Sequence, residues 1–208
     1  MTQSLELREL ERRSVKYWSE DGLPELVMGA LWILWGAAWL FGNALPRGPL
    51  WTLYWMVTPA VLALSAGAGV WATRRLKARI TFPRTGYVAW KEPTRGQRLF
   101  AAVVALSAAS AAVVLVQAAR ATGVERATAP ALGVLLSLGF LIASLTQRVP
   151  HLLALAGVAL VLGLAAGALT LGWSGANWVL MGTGAAAIVV GAVRLRRFLA
   201  RNPVGAVE

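Results

Sequence analysis

The sequence contains no cysteine and a single histidine, His151. Without cysteine, disulfides, thiol catalysis and thiolate metal sites are excluded. One histidine excludes multi-histidine metal centres and bis-histidine haem ligation. Aspartate is as scarce: Asp21 stands alone, whereas lipid phosphotransferases use several aspartates to hold metal ions. Charged residues make up only 14% of the chain, against about 25% in a soluble domain. No glycine fingerprint for nucleotide phosphates is present. These absences lean away from an enzyme and give no reason to expect a metal or a cofactor.

What is there is apolar and basic. Of 208 residues, 58% are hydrophobic, mean hydropathy is +0.63 and net charge is +11. One soluble core cannot enclose that much apolar surface at this length, and a disordered chain would be far more polar. A polytopic membrane protein fits, provided the charges lie outside the apolar segments. Crossing about 30 Å of hydrocarbon takes roughly 20 residues of helix. Uncharged stretches of that length run over 26–46, 48–73, 99–119, 127–147 and 149–193. The last is long enough for two spans, with a break expected at the Gly/Ser/Asn cluster Gly172–Asn177. The expectation is an all-α membrane protein of one domain, 1–208. It has six transmembrane helices in three hairpins, near 26–46, 51–73, 99–119, 128–147, 151–172 and 177–193. Pro24, Pro130 and Pro150 fall where spans should start, and Pro59 falls inside the second.

The charges supply an orientation. Lysine and arginine number four in the N-terminal segment, eight in 74–98, one at Arg148 and four in the tail, 17 in all. The opposite side has three: Arg47, Arg120 and Arg126. The positive-inside rule places both termini in the cytoplasm. The segment before the first span carries four basic and six acidic residues, unlike the basic start of a cleaved signal peptide. Residues 1–22 read as a cytoplasmic segment. Within it, Ser4–Ser19 places Leu7, Leu10 and Trp18 on one face of an amphipathic helix.

The loop 74–98 is the most specialised stretch. Arg79-Ile80-Thr81-Phe82 and Tyr87-Val88-Ala89-Trp90 alternate in polarity around the turn signal Pro83-Arg84-Thr85-Gly86. This pattern predicts a short cytoplasmic β-hairpin between the second and third helices. Arg79, Phe82, Arg84, Tyr87, Trp90 and Lys91 are its candidate residues for binding lipid or a partner. Each cation near an anionic leaflet contributes about 1 kcal/mol, so the expected partner is anionic phospholipid. Topology accounts for the charge without nucleic acid. Glu20, Asp21 and Glu25 lie on the same side and are candidates to tether the loop through Arg79 or Arg84.

Two further features carry hypotheses. Trp32, Trp35 and Trp39 form a stripe on the first span, read either as packing or as the wall of an apolar ligand site. Small residues at four-residue spacing, such as Gly182/Ala186 and Ala187/Gly191, suit close helix packing within one bundle or in a homo-oligomer. Gly172-Trp173-Ser174-Gly175 matches the G-x-S-G string of rhomboid-like intramembrane proteases. A serine nucleophile needs a nearby base, however, and His151 would lie about 34 Å away along a helix. The string therefore reads as a turn, and His151 as an exposed or interfacial residue at a helix start.

Asp21-Gly22-Leu23-Pro24-Glu25, taken with Lys77-x-Arg79-x-x-Phe82-Pro83-Arg84-Thr85-Gly86-Tyr87-Val88, resembles small bacterial polytopic membrane proteins of uncharacterised function. The resemblance implies a bacterial inner membrane and no particular activity. The functional expectation is a non-enzymatic scaffold or regulatory subunit, alone or with a membrane partner protein. The alternative is a carrier or channel for a small neutral or lipophilic molecule.

Overall fold

The computed structural model describes residues 20–85, 124–147 and 149–203, with isolated positions 95, 96, 99 and 103. Its helices are α1 (Leu23–Ala44), α2 (Pro49–Ile80), the single turn α3 (Phe82–Thr85), α4 (Glu125–Gln147), α5 (His151–Ala168) and α6 (Gly172–Arg201). All but α3 are long and apolar enough to cross a bilayer. By length and composition the set is that of a multi-pass membrane protein. The amphipathic segment 4–19 and all but two positions of the expected third span lie outside the described residues.

Hydrogen bonds between elements define the two ends of the bundle. The starts of α1 and α5 meet the ends of α2 and α6, because Asp21 bonds Lys77 while His151 bonds both Glu25 and Arg194. At the opposite end the start of α4 meets the start of α6, with Thr128 donating to the Gly172 carbonyl at 3.5 Å. Thr85 and Val124 therefore lie at opposite ends of the bundle.

The α1–α6 pair is the most extensive interface, followed by α4–α5. Both depend on glycine. Gly22 faces Gly191, Gly29 faces Gly184, and Gly36 faces Asn177 and Met181. The spacing is seven residues on each antiparallel helix, two turns at a time. A Cβ on Gly29 would lie 2.4 Å from the Gly184 carbonyl oxygen, so backbone meets backbone there. In lipid, where apolar burial brings little, such close packing holds helices together. Gly133 and Gly163 do the same between α4 and α5. Around these contacts Phe140, Leu152, Leu155, Ala156 and Ala187 form a core, with Met28 and Trp32 packed on it. The opposite surface of α2 stays apolar and open, with Leu50, Met56 and Leu64 each 74% exposed.

Three expectations need correcting. The β-hairpin is not supported, and no strand occurs among the described residues. Arg79 and Ile80 continue α2, Thr81 caps it, and Phe82–Thr85 adds a turn whose Arg84 and Thr85 amides donate to the Thr81 carbonyl at 3.0 and 3.1 Å. Extending an existing helix needs no new nucleus, which outweighs a four-residue alternation. Tyr87, Trp90 and Lys91 lie outside the described residues. The second correction moves the last turn. It falls at Leu169–Leu171, with Thr170 at φ 51° and Gly172 at φ 54°. Gly172 tolerates the left-handed backbone, and Trp173–Asn177 are helical. The third concerns Pro130, which lies inside α4 rather than at its start. Its ring fills the space left by Gly167, where a Cβ would sit 2.4 Å from Pro130 Cγ.

Candidate functional site

The site is a polar cluster at the end shared by the start of α1 and the end of α2. It begins with Asp21-Gly22-Leu23-Pro24-Glu25. Gly22 adopts φ 73°, and its close contact with Gly191 draws the first turn of α1 onto α6. A side chain there would be strained and would also clash. The turn directs Asp21 towards α2 and Glu25, four residues on, towards α5.

Asp21 is fully buried, and Lys77 is 1% exposed. One carboxylate oxygen, Oδ1, accepts the Leu23 amide at 3.1 Å. The other, Oδ2, accepts the Thr81 hydroxyl at 2.7 Å and the Lys77 ammonium. Lys77 and Thr81 are four residues apart and share one face of α2. That face continues through Thr73 to Gly69, where Leu31 of α1 packs. Arg79 lies off this stripe and is exposed, while Arg84 donates to the Ile80 carbonyl at 2.6 Å. The tether therefore uses Lys77 in place of Arg79 or Arg84, and it is made by Asp21. Glu20 is exposed.

Glu25 makes the second half of the cluster. Its Oε1 lies 2.5 Å from His151 Nε2, and Arg194 Nη1 lies 2.5 Å from His151 Nδ1. A guanidinium only donates, so Nδ1 must accept and the imidazole proton must sit on Nε2. In that tautomer His151 donates to Glu25 and accepts from Arg194. Glu25 is 3% exposed, and its second oxygen meets no donor among the described residues. His151 proves a half-buried connector of α1, α5 and α6 rather than a free surface residue.

The acids stand out in the sequence, but their partners Lys77, Thr81 and His151, and Arg194 on the far side of His151, do not. The i, i+4 pair Lys77/Thr81 was the available signal. Nothing local marked His151 or Arg194 as partners, since they lie 126 and 169 residues from Glu25.

The tryptophan stripe does not form one wall. Trp32 packs on Phe140 with ring centroids 5.5 Å apart, and Trp39 packs on Trp55 at 4.9 Å. Only Trp35 of the three lines a groove of about 760 Å³ between α1 and α2, together with Leu31, Leu53, Tyr54, Val57 and Ser65. Its indole donates to the Ser65 hydroxyl at 2.8 Å. Ser174 of the G-x-S-G string donates to the Leu171 carbonyl at 3.0 Å. The whole of α5 separates it from His151, 18 residues or about 27 Å of helix. No protein-family model, no curated protein and no solved structure matches this chain.

Proposed function

We propose that the chain is a non-enzymatic scaffold or regulatory subunit of the bacterial inner membrane, working through a cationic end that faces the cytoplasm. The supporting observation is the placement of arginine. At 32 residues α2 is about 48 Å long, against about 30 Å of hydrocarbon. The excess carries Arg74, Arg75 and Arg79, all exposed. At the same end α6 carries the exposed Arg196, Arg197 and Arg201, while the far end has Arg47 and Arg126 among the described residues. Six exposed guanidiniums on two projecting helices suit the phosphates of an anionic leaflet. The polar cluster sets the height and angle at which these helices emerge, since it joins the end of α2 to α1, α5 and α6.

Native purification followed by lipid mass spectrometry tests this reading. The wild type should retain anionic phospholipid, and Arg79→Glu/Arg196→Glu/Arg197→Glu should lose most of it. Equal retention by both would refute the reading. The groove beside Trp35 favours a second reading, carriage of a lipophilic molecule, because its lining is apolar apart from Ser65, Thr58 and Tyr54. Such a lining suits an acyl or isoprenoid chain better than a hydrated solute.

A further inference from the structure

We propose that the groove between α1 and α2 seats one acyl chain of a phospholipid from the leaflet at the Arg47 end, with the lipid phosphate held by Arg47. The proposal rests on the second reading above, that this groove takes a lipophilic molecule. It adds the class of molecule, its leaflet and its headgroup contact.

The groove is built by two faces of one hairpin. Leu34, Ala38, Phe41 and Leu45 recur at helical spacing along α1, and Leu50, Leu53, Val57 and Val61 do so along α2. Leu34, Phe41, Leu53, Val57 and Val61 are exposed and form the lips, while the small side chain of Ala38 leaves the floor low. From Leu31 to Leu45 is 14 residues, about 21 Å of helix. One leaflet is half of about 30 Å of hydrocarbon, so the groove runs from the Arg47 end to the middle of the bilayer. It stops there. Leu31 packs on Gly69, where a Cβ would lie 2.5 Å from Leu31 Cδ1, and the Trp35 indole crosses to Ser65. A groove one leaflet deep and closed at its inner end takes a chain from one side only.

Every polar side chain that lines the groove is already bonded. Tyr54 donates to the Ala38 carbonyl at 2.5 Å, Thr58 to the Tyr54 carbonyl at 2.7 Å, Ser65 to the Leu62 carbonyl at 2.8 Å, and Trp35 to Ser65. A polar group drawn into the groove would lose water and find no free donor. The occupant is therefore hydrocarbon along its length, and its polar part stays at the open end. Arg47 stands there, in the turn between the lining residues Leu45 and Leu50. It is exposed, and nothing bonds it among the described residues. No acid occurs between positions 26 and 91, so the hairpin holds no competitor for the guanidinium. Arginine takes a phosphate through two parallel N–H groups. A cation at the mouth with hydrocarbon below it matches a phospholipid read from its phosphate inwards.

Photolabelling of the full chain in lipid nanodiscs tests the proposal. One probe is phosphatidylglycerol with a diazirine midway along one acyl chain. The other is diacylglycerol with the same chains and no phosphate. Peptide mass spectrometry compares labelling of 31–45 and 50–65 with that of α4 around Leu135 and Leu145, an exposed apolar face that any surrounding lipid reaches. Phosphatidylglycerol should label the groove above the α4 face. It should also exceed diacylglycerol there by about fivefold, the worth of one cation beside an anionic headgroup. Arg47→Gln should bring it down to the diacylglycerol level. Val57→Trp should block groove labelling by both probes, whereas Leu64→Trp, the same bulk on α2 outside the groove, should not. Equal labelling by the two probes, unmoved by Arg47→Gln, would overturn the proposal and leave the groove as a site for apolar chains in general. Labelling no stronger than on α4, or left intact by Val57→Trp, would overturn that reading as well. A groove covered by a second copy of the chain would give the former result.

Discussion

Replacing Lys77 by methionine keeps the length of the side chain and removes the charge. The Asp21 carboxylate would remain fully buried, held among the described residues by the Thr81 hydroxyl and the Leu23 amide. Removing one partner of a buried ion pair costs about 3–5 kcal/mol, because the other charge stays uncompensated. For a chain of this size that corresponds to a fall in Tm of roughly 6–20 °C, at about 2–4 °C per kcal/mol. Replacing both charges removes the stranded ion, and apolar substitutes for a buried pair are often neutral. Asp21→Asn/Lys77→Met should therefore recover most of the loss. Thermal unfolding of the wild type, both single variants and the double variant in one lipid nanodisc preparation completes the cycle. A Lys77→Met variant within about 1 kcal/mol of wild type, or a double variant no better than the single, would refute a buried, coupled pair.

Thr81→Val should cost about 1.5–3 kcal/mol, the worth of a hydrogen bond to a charged acceptor, seen as a smaller fall in the same melting experiment. Gly29→Val drives a side chain into the Gly184 carbonyl and should destabilise by about 1–3 kcal/mol. The same melting experiment should show it as a fall in Tm. Phe140→Ala empties the space beside Trp32 and should cost about 3–5 kcal/mol, read as a shift in unfolding midpoint. Trp35→Phe removes only the bond to Ser65 and should cost about 1 kcal/mol, with the tryptophan emission of the remaining nine residues little changed.

The helices were legible because hydrocarbon forbids stray charge. Runs such as 48–73 and 127–147 announce themselves by length and by the arginines that bound them. Helix ends were less legible. α2 and α6 continue well past their apolar parts, because arginine is a good helix former and extending a helix needs no new nucleus. Alternation over Arg79–Phe82 was too short to compete with that continuation. Packing partners were the least legible. Gly22, Gly29 and Gly36 repeat at seven residues, a pattern that carries meaning only beside Gly184 and Gly191 on a helix more than 140 residues away. The acids before α1 were visible as a group. Their partners depended on which face of α2 turns inward and on α5 beginning beside α1, both of which are properties of the assembled bundle.

The central claim is that the polar cluster and the exposed arginines share one side of a membrane while Arg47 and Arg126 face the other. The absence of native cysteine allows a direct measurement. Single cysteines at Glu20, Arg79, Arg197, Arg47 and Arg126 are labelled with a membrane-impermeant maleimide in sealed vesicles of known orientation. Positions 20, 79 and 197 should react only from the cytoplasmic side, and positions 47 and 126 only from the opposite side. Labelling of 79 and 47 from the same side would contradict the account.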